Sequence, residues 1–88
     1  MSDPKPSENF TLAIVTPDKV IFEGIAKRLI APGIEQHLAV LPDHTPIFAE
    51  LTEGEIEIIK DDNQSETIPV ESGVLRFKAN RATIIMGF

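Results

Sequence analysis

The residues best able to do chemistry in this chain are two histidines, each with a carboxylate close by in sequence. The denser case is VLPDHTPIFAEL, Val40 to Leu51, where Asp43 precedes His44 and Pro42 and Pro46 bracket the pair. A histidine titrates near neutrality and can act as a general base when a second group fixes its tautomer. Asp43 is badly placed to do that, because successive residues of an extended chain point to opposite sides. No Gly-x-Ser-x-Gly elbow offers a nucleophile. The second case is an oxygen-nitrogen metal site built from His37 and His44 with Glu35 and Asp43. The histidines are seven positions apart, which matches neither the i, i+4 spacing of a helix nor a His-x-His strand pair. His44 is therefore expected to be structural or a contact residue, and the chain is expected to hold no catalytic, cofactor or metal residues.

Other chemistries lack their signatures. There is no Walker-type loop and no Gly-x-Gly-x-x-Gly, and the five glycines are scattered at turns. Tryptophan and tyrosine are absent, and the five phenylalanines fall at core-like positions, so stacking platforms for sugars or bases are not expected.

The elements that must carry these residues are short and regular. Turn signals recur at Thr16-Pro17-Asp18, Pro32-Gly33, Pro42-Asp43, Glu53-Gly54, Asp61-Asp62-Asn63, Ser72-Gly73 and Ala79-Asn80. Such a beat belongs to a β-sandwich or barrel. Between the signals, apolar residues alternate with period two. Phe10, Leu12 and Ile14 share a face, as do Ile56 and Ile58, and as do Leu75 and Phe77. Arg76 and Lys78 point the other way. No apolar period of 3.6 is sustained, so no sizeable helix is expected. The expected fold is all-β: a ten-stranded antiparallel β-sandwich or flattened barrel over residues 10–88, preceded by a flexible N-terminal arm, residues 1–9. Gly24, inside a strand-like run, suggests a bulge or sharp bend. Lys60 to Ser65 reads as a hairpin tip.

Composition narrows the partners. The chain has 88 residues, enough for one small domain, with 42% hydrophobic and 25% charged residues. Its 14 acidic and 8 basic residues give a net charge of -6. That argues against nucleic acid and anionic membrane as direct partners, since phosphate binding needs a basic surface. Eight acidic residues lie between Glu50 and Glu71, where Lys60 is the only base. This asymmetry suits either a cationic protein partner or simple solvation. There is no cysteine, hence no disulfide or thiolate metal site. No apolar run approaches the roughly 18 residues of a membrane span, and MSDPKPSEN has no apolar signal core. A soluble, cytoplasmic protein is the default expectation.

Elementary stereochemistry also explains the opening stretch. Pro42 cannot donate a ladder hydrogen bond and ends a strand. Asp43 is a good turn residue. Pro46 biases Thr45 to extended geometry and starts the next strand. The loop is stiff, which fits a surface that must keep its shape against a partner.

In order and spacing, these residues resemble a known family. Ala31 to Pro46, APGIEQHLAVLPDHTP, is similar to the pattern G-x-x-G-E-L-G-[IV]-L-P-G-H-A-P of the epsilon subunit of rotary (F-type) ATP synthases. Ile14 to Gly24 resembles that family's V-T-P-x-x-x-[VL]-[FY]-x-G opening, and Val70 to Leu75 its x-x-G-G-[VIF]-[LV] strand entry. The resemblance runs from about Phe10 to the end. Gln36, Ala39 and Asp43 stand where the family usually has glycine, and His37 where it has glutamate. At position 43 a positive-φ glycine is thus replaced by Asp, which tolerates the left-handed region better than most residues. The family usually continues into a C-terminal helix pair. If Met1 to Phe88 is the whole protein, the resemblance implies a short form without it.

The resemblance implies a non-catalytic rotor subunit in the central stalk. Such a subunit docks the gamma subunit onto the membrane c-ring and so couples ion translocation to ATP synthesis. It would sit peripherally at the cytoplasmic face of a bacterial inner membrane, with no cofactor and no insertion into the membrane. Carried over by position, Glu35, Gln36 and His37 would face the c-ring loops, and Thr16, His44 and Ala49 would lie at or near the gamma contact. The alternative is a free-standing β-sandwich module that binds a sugar or peptide ligand.

Overall fold

The computed structural model describes residues 7–87. Eight strands follow one another: β1 (Phe10–Val15), β2 (Val20–Pro32), β3 (His37–Val40), β4 (Ile47–Leu51), β5 (Gly54–Lys60), β6 (Ser65–Val70), β7 (Gly73–Lys78) and β8 (Arg81–Met86). There is no helix among the described residues. The all-β class is as expected, but the strand count among the described residues is eight rather than ten. The physical reason lies in the turns. Seven turn signals separate eight strands, and no further break interrupts β2, which runs unbroken for 13 residues.

β2 organises the whole sandwich. Its first half pairs with β1, from Val20 opposite Val15 to Ala26 opposite Phe10. Its second half is flanked by β3 on one side and β5 on the other, with Leu29 facing both Val40 and Ile58. The strand therefore belongs to two layers. One is β4-β7-β8-β1 with the start of β2; the other is β3, the end of β2, β5 and β6. The register slips between Ala26 and Arg28, where the strand passes from one layer to the other. A bulge of this kind bends a strand and raises its local twist. The bulge or bend expected around Gly24 falls on either side of it: the β1–β2 register also slips at Ile21, between Ile14 opposite Phe22 and Val15 opposite Val20, while Gly24 itself pairs in register with Leu12. An isolated bridge from Gly33 to Leu51 joins the two layers at the other edge.

The pairing is antiparallel except between β1 and β8, which run parallel from Thr11 opposite Arg81 to Val15 opposite Ile85. This corrects the uniformly antiparallel expectation. Hairpin links force neighbouring strands to alternate in direction, but β1 and β8 come from the two ends of the chain and share no hairpin.

The core follows from the alternation. Phe10, Leu12 and Ile14, Ile56 and Ile58, Leu75 and Phe77, and Ala82 and Ile84 all point between the layers and are buried. Phe10 and Phe77 meet edge to face with ring centroids 5.5 Å apart, a favoured aromatic geometry. No polar side chain is buried among the described residues. One expectation fails here. Phe48, read as core-like with the other phenylalanines, is 75% exposed. In β4 it alternates with Ile47 and Ala49 and takes the outward position.

The register sorts the loops into two ends. The Thr16–Lys19, Gly33–Gln36, Thr52–Glu53 and Glu71–Ser72 turns gather at one end, beside the Gly33–Leu51 bridge. The Leu41–Pro46 loop, the Asp61–Gln64 tip and the Ala79–Asn80 turn gather at the other.

Candidate partner-docking surface

The β2–β3 turn is built by close approach. The Gly33 N–H donates to the Ala31 carbonyl at 3.1 Å, the Ile34 N–H to Glu50 at 3.0 Å, and the Thr52 N–H to Pro32 at 2.8 Å. An added Cβ on Gly33 would lie 2.4 Å from the Gln36 carbonyl oxygen, so this position has room only for glycine. These bonds stitch the turn to the end of β4. They hold Glu35 and Gln36, both exposed, next to Ala49 and Phe48. A groove of about 400 Å³ runs between the turn and β4, with Ile34, Leu38 and Phe48 among its walls. Ile34 and Phe48 are 59% and 75% exposed. Two apolar side chains thus stand in solvent on the lips of one groove, with Glu35 and Glu50 beside them. Exposed apolar residues grouped around a groove are features of protein-contact surfaces and of ligand-binding grooves.

Of the expected contact residues, the groove brings together Glu35, Gln36 and Ala49. His37 begins β3 opposite Pro32 and is exposed just outside it. Thr16 lies at the same end of the sandwich, in the β1–β2 turn. Its hydroxyl accepts the N–H groups of Asp18 and Lys19 at 3.3 and 3.2 Å. His44 is at the opposite end. Thr16 and His44 therefore do not share a patch. They mark the two ends of the layer whose edge strand carries Phe48.

The Asp43–His44 pair is not a dyad. His44 Nδ1 lies 2.8 Å from the Thr45 carbonyl oxygen, and the ring stands edge-on to Phe77 with centroids 6.4 Å apart. The Asp43 carboxylate faces elsewhere. It accepts the Ser7 N–H at 2.7 Å and the Asn80 side-chain amide at 2.8 Å, while the Asp43 N–H donates to Asn80 Oδ1 at 2.7 Å. The Asn80 amide and the Ser7 N–H hold the Asp43 carboxyl below its ordinary range by bonding its charged form. Its backbone takes φ = 65°, the left-handed conformation that the usual glycine would adopt without strain. The arm expected to be loose is, at Ser7, hydrogen-bonded to both Asp43 and Asn80; its first six residues lie outside the described ones. His37 begins β3 at the end of the sandwich that carries the β2–β3 turn, and His44 lies in the loop at the other end. No group of three metal-ligating side chains is present among the described residues.

Phe48 and the Asp43–Asn80 contact were both missed at the sequence level. Alternation along IFAEL signals an outward Phe48. The Asn80 partnership joins residues 37 apart in sequence and has no local signal.

Residues 9–87 match the family model described as ATP synthase, Delta/Epsilon chain, beta-sandwich domain. The chain belongs to the ATP synthase delta/epsilon family. It is 35% identical over 81 residues to the ATP synthase epsilon chain of Lactiplantibacillus plantarum, covering 90% of itself and 57% of that relative. It is 34% identical over 76 residues to the epsilon chain of Chlorobaculum tepidum, covering 86% of each. It thus spans a little over half of the first relative's length and most of the second's. Its fold matches a chain in the cryo-EM structure of Euglena gracilis mitochondrial ATP synthase, OSCP/F1/c-ring, with a TM-score of 0.84 at 15% identity over 98% of this chain and 59% of that one. A chain of the Tetrahymena thermophila mitochondrial ATP synthase central stalk/c-ring structure matches with a TM-score of 0.73 at 21% identity, covering 97% of this chain and 67% of that one. At these identities the two structures show the fold alone.

Proposed function

We propose that this delta/epsilon chain is a non-catalytic rotor subunit in the central stalk of a rotary ATP synthase. It docks the gamma subunit onto the polar loops of the c-ring and so transmits ion-driven rotation to ATP synthesis. It acts peripherally, at the cytoplasmic face of a bacterial inner membrane. The observation that carries this reading is the groove between the β2–β3 turn and β4. A turn made rigid by Gly33 presents Glu35 and Gln36, and exposed Ile34 and Phe48 supply apolar contact beside Ala49. Coupling rotation needs a stiff body with two contact regions. In the sandwich Glu35, Gln36 and His37 serve the c-ring contact and Thr16, His44 and Ala49 the gamma contact, and the two contacts adjoin at the groove, where Ala49 lies beside Glu35 and Gln36. The epsilon chains among its relatives support the assignment to the stalk.

The chain has no cysteine, so single cysteines can be introduced without background. Cysteine at Gln36 or His37 is expected to cross-link under oxidation to cysteines on the c-ring loop in assembled enzyme. Failure at every pair tried, in enzyme shown to be assembled, would discard the c-ring contact.

A further inference from the structure

The outward face of the β4-β7-β8-β1-β2 layer can be laid out row by row from the pairing register. One row reads Phe48, Arg76, Thr83, Ala13, Glu23. The next reads Lys78, Arg81, Thr11, Ile25. On the other side stand Glu50, Val74, Ile85 and Val15. Arg76, Lys78 and Arg81 thus form a triangle on two adjacent strands, and all three are exposed. They are three of only 8 basic residues in a chain of net charge -6.

No carboxylate stands directly opposite any of the three in the sheet. Lys78 and Arg81 are directly opposite each other across the β7–β8 hairpin, a like-charge pairing that weakens a sheet. Arg76 faces Phe48 on one side and Thr83 on the other. Two carboxylates border the triangle: Glu50, diagonal to Arg76, and Glu23, two strands from Arg81, which lines a shallow hollow with Arg81 and Thr83. A shallow concavity of about 530 Å³ lies among Arg76, Lys78, Arg81 and Thr83. Beside it, exposed Phe48 and Ile85 supply apolar surface.

We propose that this triangle docks an acidic segment of the gamma subunit, with carboxylates on Arg76, Lys78 and Arg81 and an apolar side chain against Ile85 or Phe48. The proposal rests on the stalk reading above and specifies the chemistry of that contact. Charge complementarity selects the occupant. The opposite layer carries Glu55, Glu57 and Glu66 on β5 and β6, with Asp61 and Asp62 at the tip between them. An acidic segment is repelled there and attracted to the triangle. The two faces therefore fix which side of the sandwich meets the partner, a role charges fill better than they raise affinity. Nucleic acid is disfavoured by the net charge.

The test uses the full chain and its cognate gamma subunit, with binding measured at low and high salt. A variant carrying Arg76→Ser, Lys78→Ser and Arg81→Ser keeps the Ala79–Asn80 turn. A control carrying Lys27→Ser, Arg28→Ser and Lys60→Ser removes the same charge elsewhere. The unaltered chain and the control are expected to bind with affinity that falls as salt screens the contact. The triangle variant is expected to bind about tenfold more weakly at low salt and to lose most of the salt dependence. Equal binding and equal salt slope in all three chains would overturn the triangle and leave the stalk reading intact. No binding of gamma by the unaltered chain would overturn both. Salt-sensitive self-association that the triangle variant abolishes would replace gamma with a second copy of this chain and overturn the proposal.

Discussion

Asp43 and Asn80 hold each other reciprocally: the Asn80 side-chain amide donates to the Asp43 carboxylate at 2.8 Å, and the Asp43 N–H donates to Asn80 Oδ1 at 2.7 Å. Both residues have positive φ, 65° and 58°. The contact ties the β3–β4 loop to the β7–β8 hairpin across the same end of the sandwich. Asn80 extends it further, since its carbonyl accepts the Thr11 N–H at 3.0 Å and its amide also reaches the Ser7 hydroxyl at 3.0 Å. The Asp that replaces a turn glycine therefore does more than tolerate the left-handed region. Its carboxylate is the anchor for two other segments.

The first prediction concerns pH. The Asp43 carboxyl has its folded value lowered, chiefly by the Asn80 amide and then by Ser7. A group lowered on folding stabilises the fold fully above its unfolded value, here 3.8, and that contribution is lost as pH falls through the lower folded value. Asp43→Asn cannot titrate. The urea midpoint of the unaltered chain should therefore exceed that of Asp43→Asn at pH 7, and the gap should close as pH is lowered below 3.8. A gap independent of pH would show that the carboxylate's charge is not what the loop uses.

The second prediction separates backbone from side chain at Asn80. Ala79 and Asn80 both have positive φ, as a two-residue type I′ hairpin requires. Asn80→Gly keeps that conformation and loses the side-chain bonds; Asn80→Ala loses both. Losing hydrogen bonds at this site should cost about 1–2 kcal/mol for Gly, and left-handed strain should add about 1 kcal/mol for Ala. Thermal unfolding should rank them unaltered, then Gly, then Ala.

Much of this fold was legible in the sequence, for a simple reason. Period-two alternation assigns a face to each side chain, so the inward positions of Leu75 and Phe77 and the outward ones of Arg76 and Lys78 could be read directly. Turn chemistry located the strand breaks. What could not be read was set by distant pairing. The parallel contact of β1 with β8 joins the chain's two ends. The register of β2 slips at Ile21 and at Ala26–Arg28, where its partners change, rather than at Gly24, where the sequence suggests a bulge or bend. The residues proposed for docking divide in the same way. Glu35 and Gln36 lie in one turn and could be grouped from sequence; Thr16 and His44 lie on different loops whose separation only the topology reveals.

The third prediction tests the groove's rigidity. A Cβ at position 33 would meet the Gln36 carbonyl oxygen at 2.4 Å, and backbone cannot yield as a flexible side chain can. Gly33→Ala should cost about 1–3 kcal/mol as the turn shifts. Cross-linking from a cysteine at position 36 should weaken in parallel. A chain as stable as the original would mean that the turn relaxes freely.

The fourth prediction distinguishes docking from folding on one pair of strands. Leu75 and Phe48 lie on neighbouring strands with opposite burial: Leu75 is 0% exposed and Phe48 75%. Leu75→Ala leaves a cavity and should cost about 2–5 kcal/mol in denaturant unfolding. Phe48→Ser removes a side chain that packs on little within this chain. Its unfolding free energy should stay within about 0.5 kcal/mol of the original. Binding to gamma or assembly on the c-ring should nevertheless fall about tenfold or more, since a central aromatic anchor carries a large share of interface energy. If Phe48→Ser bound and assembled normally, the groove would lose its apolar anchor and the contact would have to lie elsewhere on the sandwich. If it unfolded instead, Phe48 would be a packing residue despite its exposure.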